Sequence, residues 1–422
     1  SDPPTITSPS GSISTTNIRP AITGTHVSGY SVTVHKQAAG ASVSDWGNAT
    51  ESGTNWSFSP DASQALSDGV YTILAKQTLG SDESIYSTQS VQITVDTTAL
   101  VPTITSHSGT SHVNTTRPTI TGNAETGATV TLHGIVNGSG DTPGSSNQLG
   151  TVTLSSGTSW SFQVPASQAF SNGQSYDIRV KQVDALGNGS AYNNAGAVVL
   201  AIDTSAPNAP VFVRPDPSTA ITTSNNRPEF RFSGESGITL KLYSVSGSNL
   251  TEIHSVSNFN PNSSFNKTLS EGQSLIVAKL IDLAGNTSNA SSQLDITVDS
   301  QTTAPTLTSP AASSFPITTS QNTVAISGDT VSDISIVEVR VNDGSSNIDA
   351  SASVNSSSAT WNYTIPNTTI PSDGTYTLVL IGTDTSGNQA SSTGYSLTID
   401  RTAPNAPAID TPAKSTNPPR VK

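Results

Sequence analysis

Acidic residues are scarce in this chain, and their positions recur. A loop of the form Asp-x-x-Gly-Asn occurs three times, at Asp184 to Asn188, Asp282 to Asn286 and Asp384 to Asn388. A second acid follows a short segment ending in Gly: Glu125 after Gly122-Asn123-Ala124, Glu235 after Gly234, and Asp329 after Gly328 with Asp333 close behind. A third closes a hydrophobic run, as Asp96, Asp203, Asp299 and Asp400. Carboxylate and amide oxygens are the ligands of hard cations. Calcium takes about six to eight of them, whereas magnesium prefers a tighter octahedron and keeps its waters. Asp, Gly and Asn also form capped turns, so each loop alone reads as a plain turn as well.

The acids keep a register. Val95-Asp96-Thr97-Thr98 returns as Ile202-Asp203-Thr204-Ser205-Ala206-Pro207, as Val298-Asp299 followed by Thr303-Ala304-Pro305, and as Ile399-Asp400-Arg401-Thr402-Ala403-Pro404. The interval is about 100 residues, which marks tandem modules. Arg19-Pro20 leads to Gly24, Arg117-Pro118 to Gly122, Arg227-Pro228 to Gly234, and Asn322 to Gly328. An aromatic pair follows at Trp56/Phe58, Trp160/Phe162 and Trp361/Tyr363, reduced to Phe265 in the third copy. A Gly-turn then opens a long strand near Tyr71, Tyr176, Leu275 and Tyr376. The chain divides accordingly into residues 1–96, 97–203, 204–299 and 300–400, with 401–422 as the start of a further repeat or a tail. No signal peptide opens it, and residue 1 reads as an internal boundary.

The elements that must position the acids are short strands. Apolar residues alternate with period two, as in Val32–Val34, Ile178–Val180 and Val337–Val339–Val341, and Ser, Thr, Asn and Gly fill the intervals. Each repeat gives about seven such runs and no useful helical periodicity. The expected fold is all-β: tandem immunoglobulin-like β-sandwich domains arranged end to end. The recurring aromatics read as core anchors, with a sugar-stacking platform as the alternative. There are no cysteines, which excludes disulfides and Cys-ligated zinc. The run Ala197–Ile202 is far too short to span a membrane, so no membrane insertion is expected. With 17 basic against 30 acidic residues and a net charge of −13, no nucleic-acid partner is expected.

In such a sandwich the B–C and F–G loops lie at the end where the chain enters, and the last strand leaves at the other. The acid after the early Gly falls in the B–C loop, and Asp-x-x-Gly-Asn in the F–G loop. Head-to-tail stacking then brings three acids together where one domain meets the next. Asp96 would meet Glu125, Asp184 and Asn188. Asp203 would meet Glu235, Asp282 and Asn286. Asp299 would meet Asp329 or Asp333, Asp384 and Asn388. Close carboxylate pairs repel by about 4 kcal/mol at an effective dielectric near 20. Calcium is the cation expected to neutralise them. Domain 1 lacks a B–C acid (Gly24-Thr25-His26-Val27) and the F–G Asn (Thr78 to Glu83), so no full site is expected there.

No His-Glu-x-x-His, Gly-x-Ser-x-Gly or phosphate-binding Gly-Lys-Ser/Thr occurs. The six histidines, which are neither clustered nor repeated, read as surface or strand-face residues. No enzyme is expected. The alternative to a structural spacer is a module that binds a glycan or a protein. Domain 1, with the extra Trp46 in Asp45-Trp46-Gly47, is one candidate, and the Gly/Ser-rich insertion Gly134 to Gly157 is another.

The B–C Glu, the Asp-x-x-Gly-Asn loop and the closing Val/Ile-Asp-x-Thr-Ala-Pro resemble the bacterial immunoglobulin-like repeats of giant type I-secreted, biofilm-associated surface adhesins of Gram-negative bacteria. The resemblance spans essentially the whole chain and is weakest in domain 1. It implies an extracellular, monomeric stalk segment on the bacterial cell surface that supports adhesion or biofilm formation. Calcium at the junctions would stiffen it, and host or surface glycans or proteins would be engaged through other parts of the parent protein. Similar repeats also occur as spacers in secreted enzymes.

Overall fold

A computed structural model describes residues 1–194 and 198–408. Residues 195–197 and 409–422, and with them most of the segment 401–422, lie outside the described residues. Contacts divide the chain into two compact units, Ser1–Pro207 with Ile281–Thr287, and Asn208–Leu280 with Ser288–Lys422. Each is described by itself.

Every repeat folds as two facing sheets. In the first, Thr5–Ser8, Ile22–Thr25, Asn55–Phe58 and Thr50–Ser52 form one sheet. The other runs Ile13–Thr15, Val91–Val95, Gly69–Leu79, Ser31–Ala38, Ser44–Asn48, with Asp82–Glu83 added beside Gly69–Leu79. Ile13–Thr15 lies parallel to Val91–Val95, while the other pairings are antiparallel. The fourth repeat copies this with sheets of four and six strands, and the second and third have three and five. The strands thus exceed the expected seven per repeat. The first strand crosses between sheets and counts twice, and short edge segments such as Thr50–Ser52 and Gln389–Ser391 add the rest. Among the described residues the helices are three short 3-10 turns, and no helix is long and apolar enough to cross a membrane.

Four separate clusters of buried side chains fill the sandwiches, one per repeat. Period-two alternation puts Val32, Val34 and Ile73 wholly inside the first and Leu132, Ile178 and Val180 inside the second. Each contributes about 1.5–3 kcal/mol through removal from water. Trp56, Trp160 and Trp361 are 1–3% exposed, so they are core anchors and not platforms.

The early Gly exists because of those tryptophans. Gly24, Gly122 and Gly328 pair across the sheet with Trp56, Trp160 and Trp361. A Cβ on Gly122 would lie 1.8 Å from the Thr103 carbonyl oxygen and 2.4 Å from the Trp160 ring. The third repeat solves the same packing differently. Its position facing Phe212, where the others have Gly, is Phe232, wholly buried. Gly234, matched to the early Gly by sequence, sits two residues later. Continuing the register of Phe230 with Phe265 puts Ser263 where the tryptophan would be. One large residue has moved from one strand to its neighbour, and the volume is conserved.

The polar composition also has structural work. Beyond the F–G turns of the second and third repeats the chain runs beside the preceding strand, donating backbone N–H groups to it and accepting in return through side chains. Ser190 Oγ accepts from Gln182 N at 2.9 Å and Asn193 Oδ1 from Val180 N at 2.8 Å. Ser288 and Ser291 do the same for Leu280 and Ala278, both at 2.9 Å.

Candidate functional site

The Asp-x-x-Gly-Asn loops have one geometry in all three copies. Asp384 Oδ1 accepts from the backbone N–H of Ser386 (2.8 Å) and Asn388 (2.9 Å), and Oδ2 accepts from Asn388 Nδ2 (2.8 Å). Asp184 accepts likewise from Leu186, Asn188 and Asn188 Nδ2 at 2.9, 2.8 and 2.7 Å. Asp282 accepts from Asn286 N and Nδ2 at 2.9 and 2.8 Å. The glycine closes the turn in the left-handed region, at φ +94°, +90° and +87° for Gly187, Gly285 and Gly387. Burial alone would raise the Asp184 and Asp384 carboxyls, but the donors from the Asn side chain and the loop backbone outweigh it and hold both below the ordinary carboxylate range.

The Asn amide has a second partner. Asn188 Nδ2 donates to the backbone carbonyl of Asp96 at 3.0 Å, Asn286 Nδ2 to that of Asp203 at 2.7 Å, and Asn388 Nδ2 to that of Asp299 at 2.7 Å. Each loop therefore clamps the closing residue of the preceding repeat through its main chain. Asn286 and Asp203 both fall within the first compact unit.

The acids around these clamps differ from site to site. In the second unit, ligand atoms of Asp299, Asp333 and Asp384 lie within 4.8 Å of one another. Among the described residues this is the single group of three His, Cys, Asp or Glu side chains so gathered. Asp299 Oδ2 accepts from Ser386 Oγ at 2.7 Å, and Asp333 Oδ1 is buried with no hydrogen-bond partner. Asp329, on the end of its strand, is exposed and outside the group. In the first unit the half-buried Glu125 is occupied. Its Oε2 accepts from Leu100 N at 3.0 Å and from Gln182 Nε2, while its own N–H donates to Gln182 Oε1 at 3.0 Å. Asp96 and Asp203 accept from the N–H two residues on, at 3.3 and 3.0 Å. Glu235, in the second unit, is exposed.

Sequence reading passed over a set of exit latches. The residue before each Gly-turn grips the first linker residues after the closing Asp. Asp68 Oδ1 accepts from Thr97 N (3.1 Å) and Thr97 Oγ1 (2.7 Å). Asn172 Oδ1 accepts from Thr204 N at 2.7 Å, and its Nδ2 donates to Ser205 Oγ at 2.8 Å. Glu271 takes Ser300 Oγ at 2.7 Å, and Asp373 takes Arg401 N at 2.9 Å and Thr402 Oγ1 at 2.8 Å. The recurrence of Asp, Asn or Glu before that Gly was the available signal, and it looks like ordinary turn chemistry. Asn172→Ala is expected to speed hydrogen exchange at the Thr204 amide about fivefold, the loss of one net hydrogen bond, with exchange in the strand Thr129–Val136 unchanged. Amide exchange read by NMR checks this.

Domain 1 offers no exposed aromatic platform at Trp46. That ring is 3% exposed and packs edge-on to Phe58 at 5.0 Å, and its Nε1 donates to the Gln64 carbonyl at 2.8 Å. Two of the histidines are likewise interior: His26 and His133 are 8% and 3% exposed.

The chain is thus an array of immunoglobulin-like sandwiches in which the F–G loops of the second, third and fourth repeats clamp the preceding exit. Residues 217–300 and 311–401 match the family model described as bacterial Ig-like domain. No curated protein matches the chain. Among solved structures, the chain is similar to a tetra-tandem repeat from the extending region of a large adhesion protein, at 17% identity over 93% of this chain and 99% of that one, TM-score 0.25. It is also similar to a structure from a 1.5-MDa bacterial ice-binding adhesin (18%, 72% and 100%, TM-score 0.26) and to the FN1–FN3 domains of chicken CNTN1 (14%, 71% and 100%, TM-score 0.34).

Proposed function

We propose that the chain is a segment of the extracellular stalk of a bacterial surface adhesin, a spacer whose junctions are held by Asn clamps and exit latches and stiffened by calcium. The match of the third and fourth repeats to bacterial Ig-like domains supports the bacterial, cell-surface setting. The repeated clamp supports a structural role, because a part used in each of the last three repeats serves the array and not a single reaction centre. Cell adhesion or biofilm formation is the process such a stalk would serve, and type I secretion the route the sequence resemblance implies.

The observation that carries the ion is the group Asp299, Asp333 and Asp384 with the orphaned Asp333 Oδ1. Three carboxylates so close repel unless neutralised, and a buried oxygen without a donor is costly. Oxygen-only ligands fit calcium. The residues that would hold it are Asp299, Asp333 and Asp384, and the ion would supply the countercharge that locks the exit of the third repeat to the F–G loop of the fourth. In the first unit Glu125 Oε2 accepts from Leu100 N and Gln182 Nε2, so that clamp is held by direct hydrogen bonds as well.

Differential scanning calorimetry with calcium and with chelator tests this. Calcium at about a hundred times its dissociation constant would add about 2.7 kcal/mol, raising the melting of a domain near 100 residues by roughly 10 °C or more. Asp333→Asn is expected to remove that increment and one bound ion per chain by titration. An unchanged melt on chelation sinks the calcium reading and leaves the clamps.

A further inference from the structure

The second repeat carries a cleft of about 790 Å³. It exists because the hairpin connecting strands Thr129–Val136 and Gln148–Thr153 is long, residues 137–147, where the other repeats use 39–43, 247–248 and 343–346. The loop is fixed in shape. Asn147 Oδ1 accepts from Gly144 N at 2.9 Å, Asn147 Nδ2 donates to the Thr142 carbonyl at 2.9 Å, and Gly134 N donates to the Asn147 carbonyl at 3.0 Å. The buried His133 anchors it from below, with Nδ1 3.1 Å from Asn147 Oδ1 and its ring edge-on to Tyr192.

Floor and rim differ in chemistry. The floor is the half-buried Tyr176, backed by Phe170 stacked on it at 4.1 Å and by Leu149 and Ile135, which at 4–7% exposure belong to the core and leave Tyr176 as the ring a ligand would meet. Gly134 is what lets Phe170 in, since a Cβ there would lie 2.8 Å from its ring. The rim offers hydroxyls, amides and one carboxylate, from Thr142, Ser145, Ser167, Gln148, Gln168 and Asp141. No Lys or Arg lines it. A phosphate, sulfate or uronate would find no countercharge and would meet Asp141. A purely apolar ligand would desolvate the rim without replacing its hydrogen bonds. What suits an apolar floor under a ring of neutral donors and acceptors is a molecule with C–H faces and many hydroxyls, and the volume lies within the roughly 300–1,000 Å³ of small-ligand sites. We propose that this cleft is a binding site for a neutral saccharide. It stands apart from the calcium reading, which concerns other residues.

The test is retention of the whole chain on an immobilised panel of hexose, N-acetylhexosamine and fucose glycans beside sialylated and sulfated ones and a peptide library. At least one neutral glycan is expected to be retained. Gln168→Ala, an exposed change, is expected to weaken retention several-fold, and replacing residues 138–146 with an Asn-Gly turn to weaken it more than tenfold. The melting profile reports whether the shortened chain still folds, and Gln168→Ala decides if it does not. No neutral glycan retained at millimolar concentration, retention indifferent to Gln168→Ala, or preference for anionic glycans or peptides would overturn the proposal.

Discussion

Gly122→Ala is expected to cost the second sandwich about 4 kcal/mol, most of the stability such a domain has. The added methyl would sit 1.8 Å from the Thr103 carbonyl oxygen and 2.4 Å from the Trp160 ring. Neither neighbour is the free end of a flexible chain. The carbonyl belongs to the facing strand, which pairs Thr103 with Asn123 and Ile104 with Gly122, and Trp160 is 3% exposed in the core. Relief requires that strand to detach or the indole to leave, and loss of a buried Trp alone costs about 3–5 kcal/mol. Gly189→Ala, in the same repeat with nothing within 4 Å, is expected to change stability by no more than about 0.5 kcal/mol. Hydrogen exchange in the strand Thr129–Val136 distinguishes the two, because a four-repeat chain does not melt in one two-state step. Equal protection in both variants would show that the close approach is not the reason for the glycine.

Asp384→Ala is expected to lower the stability of the fourth repeat by about 3 kcal/mol in the presence of chelator, where any bound ion is absent. The carboxylate, in a residue 2% exposed, is the acceptor for Ser386 N, Asn388 N and Asn388 Nδ2. Alanine leaves all three donors without it and frees the side chain that clamps Asp299. The pH dependence has a definite sign. The folded carboxyls of Asp384 and Asp184 lie below their unfolded value of about 3.9. Their stabilisation is therefore complete above that value and lost as pH falls below it toward the folded one. Urea melts from pH 7 to pH 3 should show wild type losing stability below about pH 4, and the Asp384→Ala chain losing less. Parallel curves for the two would show that the loop carboxylate is not what titrates.

Much of this was legible in the sequence, for reasons that can be given residue by residue. Strand period two is fixed by the pleat, so Val32/Val34 and Ile178/Val180 declared their faces. The closing Asp and the Asp-x-x-Gly-Asn loop were visible because turn geometry admits few residue types. What failed was register in the third repeat. Phe232 and Ser263 conserve the combined volume of a Gly and a Trp but not their identities, so a motif search slides to Gly234. Glu125 and Asp333 look alike as B–C acids, yet Gln182 one strand away occupies the first, and the equivalent position before Asp384 is Gly382, packed by Pro305 and Ile334. Pairing across a sheet is not written in local spacing. Nor was the donor role of the Asn amides, since an amide carries both a ligand oxygen and two N–H groups.

The clamps read a peptide carbonyl, and every residue type carries one. Asn188 and Asn388 bind the main chain of Asp96 and Asp299, not a side chain peculiar to those neighbours. Each latch, in turn, grips only the exit of its own repeat. A duplicated, deleted or transplanted repeat that carries the F–G Asn would therefore find the main-chain part of its clamp in whichever repeat precedes it. Gene-level recombination between such repeats could change their number in one step, leaving selection to act on the reach of the array instead of on the repair of its joints.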